Sequence, residues 1–231
     1  MRFPYSRRLL AIAGYLFLSP GLTPATSTPP QAPATQGAQV QQRKTSKPYT
    51  GDFSIFEYKD RDQKLQVERV MDILGIVQGK TVADIGAGSG WFSVRAARRV
   101  TPAGCVYAVD INPEAIRYIQ DRVIREGIGN VRTILSKPED PLLPAESIDA
   151  VLLLKTYHEV AEPVTLLKSM HKALRPKARI GIIDRNGNGE DHGVSRDTVV
   201  REAGEAGYRL VGEYDFVKSD GEDYFLVFEP R

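Results

Sequence analysis

Seven consecutive residues, Asp84-Ile85-Gly86-Ala87-Gly88-Ser89-Gly90, have the types and spacing of a ligand-binding turn. Glycines give the main chain tight geometry and let a ligand approach it, while a helix opening behind them offers free amide groups. Asp84 suits a ligand that carries an ammonium group, because a buried acid and a cation pair favourably. It is out of place beside a pyrophosphate. The GxGxxG pattern of nicotinamide and flavin sites also fails, since its third glycine falls on Trp91. Asp110 ends the run YAVD, and a carboxylate at a strand tip can accept hydrogen bonds from both hydroxyls of a ribose.

A second group of residues could act on whatever is bound. Tyr157 and His158 follow the apolar run IDAVLLL, and an imidazole there could remove a proton from a nucleophile. The glycine-rich stretch DRNGNGEDHGVS supplies Asp184, Arg185 and His192, of which Arg185 suits a carboxylate or phosphate. Tyr157, His158 and His192 are therefore the catalytic candidates. His158, Asp184 and His192 are also metal-ligand types, but their separation in sequence says nothing about convergence, and no metal is expected. Cys105 is the single cysteine, so neither an intrachain disulfide nor a CxxC metal site is possible.

The elements that must position these groups alternate. An approximate helical stripe (Leu65, Val67, Val70, Met71, Ile73, Leu74) precedes the strand TVADIG. A helix from Ser89 to Val100, the strand CVYAVDI and a helix from Pro113 to Glu126 follow, with Pro113 at the favoured first helical position. Next come the strands VRTILS and IDAVLLL, the latter continuously apolar as expected of a strand buried on both faces. A helix from Pro163 to Leu174, the strand RIGIID, a helix from Arg196 to Ala206 and the strands YRLVGEY and DYFLVF complete the chain. This pattern predicts a doubly wound α/β domain whose seven-stranded sheet is mainly parallel, with helices on both faces. Ligands of such sheets sit outside the carboxyl ends of the strands, which is where the candidate residues fall.

The chain has 231 residues, 42% hydrophobic and 26% charged, in the range of ordinary globular proteins. Six basic residues and no acid precede Asp52, leaving 25 basic against 29 acidic residues, a net −4, in the remainder. That balance argues against nucleic acid as a partner and for a small or neutral substrate. The basic start (Arg2, Arg7, Arg8), the apolar run from Leu9 to Leu18 and the small residues Ala25 to Ser27 form a signal-peptide pattern over residues 1–27. Its apolar run is about half the ~20 residues needed to span a bilayer, so export without a stable membrane anchor is expected. The Arg7-Arg8 pair resembles a twin-arginine signal. Residues 28–48, rich in Pro, Thr and Gln, read as a disordered linker, and 49–231 as the folded domain.

A ribose without a pyrophosphate, joined to a positively charged amino-acid portion, describes S-adenosylmethionine. The chain resembles the class I, Rossmann-like S-adenosylmethionine-dependent methyltransferase family: VADIGAGSG is similar to its first motif, AVDINP to its second and LRPKARIGIID to the segment around its fifth strand. The resemblance runs from about Asp52 to Phe228. It implies that Asp84, Gly86, Ala87 and Gly88 line the methionine side of the cofactor, that Asp110 holds the ribose and that Ile111 touches the adenine. Many relatives place an acid after the third strand, where this chain has Lys137, with Glu139 and Asp140 nearby. The stretch Lys155-Thr156-Tyr157-His158-Glu159 lacks the Asn/Asp-Pro-Pro-aromatic pattern of many amide and adenine N-methyltransferases. Methyl transfer to oxygen, nitrogen or carbon of a small molecule is the implied activity. The alternatives are an exported, non-catalytic nucleoside-binding protein and, less favoured, a nicotinamide oxidoreductase.

Overall fold

A computed structural model describes residues 42–188 and 192–231, within one compact unit, Val40–Arg231. The signal peptide expected over 1–27 and the linker up to residue 41 lie outside the described residues. The sheet has seven strands in the order β3-β2-β1-β4-β5-β7-β6. Here β1 is Thr81–Ile85, β2 Cys105–Asp110, β3 Val131–Leu135, β4 Ile148–Leu154, β5 Leu174–Asp184, β6 Tyr208–Tyr214 and β7 Tyr224–Pro230. The first five run parallel, while β7 lies antiparallel to both β5 and β6. Strand order reverses between β1 and β4, so their carboxyl ends frame a crevice.

Helices α1 (Arg61–Leu65), α2 (Val67–Ile73), α3 (Trp91–Val100), α4 (Pro113–Arg125), α5 (Pro163–His171) and α6 (Arg196–Glu205) cover the sheet. One face buries Leu65, Met71, Trp91, Val100 and Phe225. The other buries Leu166, Met170, Tyr208 and Phe228. Helix α4 begins as its sequence requires: Asn112 caps it by accepting from the Glu114 amide, and Pro113 follows at its first position. The stripe expected as one helix is two, because Gln66 takes φ +53° and its amide closes α1 onto Asp62 and Gln63 carbonyls. Its apolar residues stay on one buried side across that break, which is why the periodicity survives it. Strand β5 starts earlier than RIGIID suggests, Leu174 pairing with Ile148 ahead of a bulge. Among the described residues no helix is long and apolar enough to cross a membrane.

The last residues assigned to the linker are docked instead. The Arg43 amide donates to the Ala161 carbonyl at 2.8 Å, and the Arg43 side chain pairs with the buried Glu202 carboxylate at 2.8 Å while also donating to the Tyr157 carbonyl. Gln42 donates to Glu162 and the Ser46 amide to Glu159. A polar composition concealed a cation that satisfies a buried acid.

Candidate active site

The glycine turn joins β1 to α3 and is shaped by contacts on both sides. Gly86 has φ +71°, and any side chain there would collide with Thr156, so β4's exit packs directly on the turn. The Gly86 and Ala87 amides both donate to the Val109 carbonyl of β2, at 2.8 and 3.0 Å. Gly88 has φ +54°, and a carbon added to it would meet only the edge of Phe56, at 3.8 Å, leaving room for a ligand against the main chain. Its amide donates to Asp110 Oδ2 at 2.9 Å, and the Asn112 amide donates to Oδ1 at 2.9 Å. Each carboxylate oxygen keeps capacity for one more donor, as a pair of ribose hydroxyls would need. Burial pushes the Asp110 carboxyl up, against the pull of these amides.

Asp84 is 2% exposed and accepts from Ser93 Oγ at 2.6 Å. Burial raises its carboxyl to about 6, against the Ser93 hydrogen bond and with help from the Asp110 charge. A cation brought to this acid would be bound strongly, because the ionised form lacks water to stabilise it. Ser89 Oγ, buried where α3 opens, finds no hydrogen-bond partner among the described residues. Ile111 is 45% exposed beside Asp110, as an adenine-facing residue would be. A short 3₁₀ turn, Phe53–Glu57, lies over this region. Tyr49 and Phe56 meet edge to face at 5.3 Å, and Asn112 Nδ2 donates to the Tyr49 carbonyl at 2.5 Å. After β3, Lys137 and Asp140 close a tight turn by mutual amide bonds, and Asp140 is engaged by Ser169 Oγ and the Leu142 amide.

The ends of β4 and β5 build the other half. Register sets Leu154 beside Ile183, so the residues that follow each strand emerge together. Lys155 takes φ +56° and reaches two buried acids, Glu222 at 2.8 Å and Asp220 at 3.2 Å, while Tyr58 donates to Asp220. A single 3₁₀ turn, Tyr157–Glu159, then divides its residues. Tyr157, expected at the substrate face, is fully buried and donates to Glu202 Oε2 at 2.9 Å. Burial and the Glu202 charge push its hydroxyl well above the usual range, so it is a core residue and not a catalytic one.

His158 turns the opposite way. Its Nδ1 lies 2.8 Å from Asp184 Oδ1, and its amide donates to Asp184 Oδ2 at 3.0 Å. Burial pulls the imidazole down, but the Asp184 hydrogen bond and the Asp184 and Glu159 charges outweigh it and hold the ring above its ordinary value. Asp184 itself is fully buried, which places it behind His158 and away from any substrate. His192, with φ +57°, lies 3.2 Å through Nδ1 from Glu159 Oε1, and its carbonyl accepts from Arg185 at 3.2 Å. The geometry thus brings His158 and His192 together and adds Glu159, which sequence reasoning passed over. The available signal was its position beside His158, with Glu159 and the glycine-rich loop after β5 leaving neighbouring strands.

Residues 82–177 match a family described as a methyltransferase domain. The ubiquinone/menaquinone biosynthesis C-methyltransferase UbiE of Pasteurella multocida is 28% identical over 115 residues, covering 49% of this chain and 43% of that protein. The aklanonic acid methyltransferase DauC of a Streptomyces species is 36% identical over 84 residues, 36% of this chain and 38% of its own. The chain thus spans less than half the length of these curated relatives. In fold it is similar to a SAM-dependent methyltransferase from Aquifex aeolicus, with a TM-score of 0.69 at 24% identity, covering 78% of this chain and 98% of that one. Strand order, glycine turn and sequence match agree: residues 82–177 match the methyltransferase-domain family, and the fold is that of class I S-adenosylmethionine-dependent methyltransferases.

Proposed function

We propose that this protein transfers a methyl group from S-adenosylmethionine to a small-molecule acceptor. The observation that carries the reading is the Gly88–Asp110 arrangement: a carboxylate at the tip of β2, fixed by two amides and still able to accept from two hydroxyls, faces a glycine turn with Asp84 buried at its base. Asp110 would hold the ribose, Asp84 the cationic amino-acid portion through the turn, and Ile111 the adenine. The cofactor supplies an electrophilic methyl group on a sulfonium sulfur. The chain's own task is to align an acceptor atom with that carbon and to exclude competing water.

Thr156, packed on Gly86, joins the donor turn to the acceptor side, where Asp184 holds His158 in one orientation. A small acceptor is supported by the −4 balance of the chain from Asp52 onward and by the printed names of the relatives, which concern a quinone and aklanonic acid. Calorimetry with S-adenosylmethionine, S-adenosylhomocysteine and NAD tests the reading. The first two are expected to bind at one equivalent and NAD not at all, and Asp110→Ala is expected to weaken binding by about 1–3 kcal/mol. Binding of NAD, or affinity unchanged in a folded Asp110→Ala protein, would overturn it.

A further inference from the structure

We propose that His158, Glu159 and His192 form a binding site for a divalent first-row transition metal at the acceptor end of the domain. Glu159 Oε1 stands 3.6 Å from His158 Nε2 and 3.2 Å from His192 Nδ1, and the three atoms all lie within 4.8 Å of one another. Metal–ligand bonds of about 2.1 Å in a tetrahedral site put neighbouring ligand atoms about 3.4 Å apart. Two of the three separations are therefore near that value, and rotation of the His192 side chain, 63% exposed, closes the third.

Polarity points the same way. The contact of His158 Nδ1 with Asp184 commits that nitrogen to the carboxylate behind it, which leaves Nε2 to face the Glu159 carboxylate. A cation placed between Nε2 and the carboxylate satisfies both groups. A proton on Nε2 would serve that pair alone, whereas a metal ion serves all three ligands. The carboxylate behind the histidine is the arrangement that fixes ring orientation and raises ligand basicity in metal centres. Glu159 is itself oriented, its Oε2 accepting from the Ser46 amide at 2.7 Å. Glu159 and Asp184 stand against one Arg185 around the two imidazoles, a balance that favours a cation. Two imidazoles and a carboxylate select a transition ion over calcium or magnesium. Three protein ligands leave positions open for water or for an oxygen donor on the acceptor, a use that rests on the methyl-transfer reading.

The test is titration of the untagged, chelator-treated full chain with Co²⁺, followed by competition with Zn²⁺, in the absence of S-adenosylmethionine. One equivalent of Co²⁺ with the visible bands of a low-symmetry four- or five-coordinate ion is expected, displaced by Zn²⁺. His192→Ala and Glu159→Gln should each weaken Zn²⁺ binding at least 10-fold, and Asp184→Asn about 10- to 100-fold. His171→Ala, in the histidine that packs on Tyr208, should leave it unchanged. Absence of stoichiometric binding, or His192→Ala and Glu159→Gln proteins that bind as tightly as the parent, overturns the site. Because no cofactor enters the titration, loss of the methyl-transfer reading would leave this result standing.

Discussion

Asp84 opposes stability in the empty domain, and Asp84→Asn should reveal it. The carboxyl is lifted from 3.8 to about 6, so its protonated form favours the fold below pH ~4. That contribution is lost as pH rises toward 6, because the unfolded chain ionises freely while the folded one resists. At about 1.4 kcal/mol per unit, holding the ionised form in the fold costs about 1–2 kcal/mol at pH 5 and about 3 kcal/mol at pH 8. An asparagine of the same shape still accepts from Ser93 Oγ through its carbonyl, so it removes the charge and keeps the hydrogen bond. Urea denaturation of the ligand-free protein at pH 5, 6, 7 and 8 is the assay. Stabilisation that grows over that range and levels off above pH 7 is expected, equivalent to roughly 6–12 °C in Tm at the upper end. The same substitution should lower S-adenosylmethionine affinity at least tenfold, setting stability against binding at one residue. A pH-independent effect, or destabilisation at pH 8, would refute the reasoning.

Gly86→Ala combines a left-handed backbone with a collision against Thr156 and should abolish cofactor binding or destabilise the domain by more than about 2 kcal/mol, as measured by calorimetry and denaturation. Arg43→Ala strips the bidentate partner from Glu202, leaving it the Tyr157 hydroxyl and the more distant Arg201, and is expected to cost about 2–3 kcal/mol in denaturant unfolding, with Glu202→Gln recovering part of the loss; an unchanged midpoint would show that the docked segment carries no weight. The resemblance of Arg7-Arg8 to a twin-arginine signal predicts that replacing the pair with Lys-Lys retains the protein in the cytoplasm, read by fractionation, and unchanged export would exclude that route.

Features local in the chain were readable from residue types. The turn from Asp84 to Gly90, the capped start of α4 and Asp110 at its strand tip each lie within a dozen residues, and periodicity plus glycine placement locates them. The division between Tyr157 and His158 was not readable, because a three-residue 3₁₀ turn has no repeat from which to infer which side chain faces inward. Asp184 looked like a substrate contact at the end of β5. Only the pairing of β4 with β5 shows that it stands behind His158. Arg43 left no trace at all, since its value comes from Glu202, a buried acid 159 positions away on α6.

Lys155 bears on how this scaffold could be given a new acceptor. Its left-handed backbone, a conformation that costs a non-glycine residue about 1–3 kcal/mol, is held by Asp220 and Glu222 from the connection between β6 and β7, and the next residue presses on Gly86. The join between strand β4 and its loop is thus clamped from the far end of the sheet. Loops exchanged from Tyr157 onward would inherit a fixed launching angle, whereas a graft that replaced Lys155 and Thr156 would also reset the donor turn. Modularity in this domain begins two residues beyond the end of the strand.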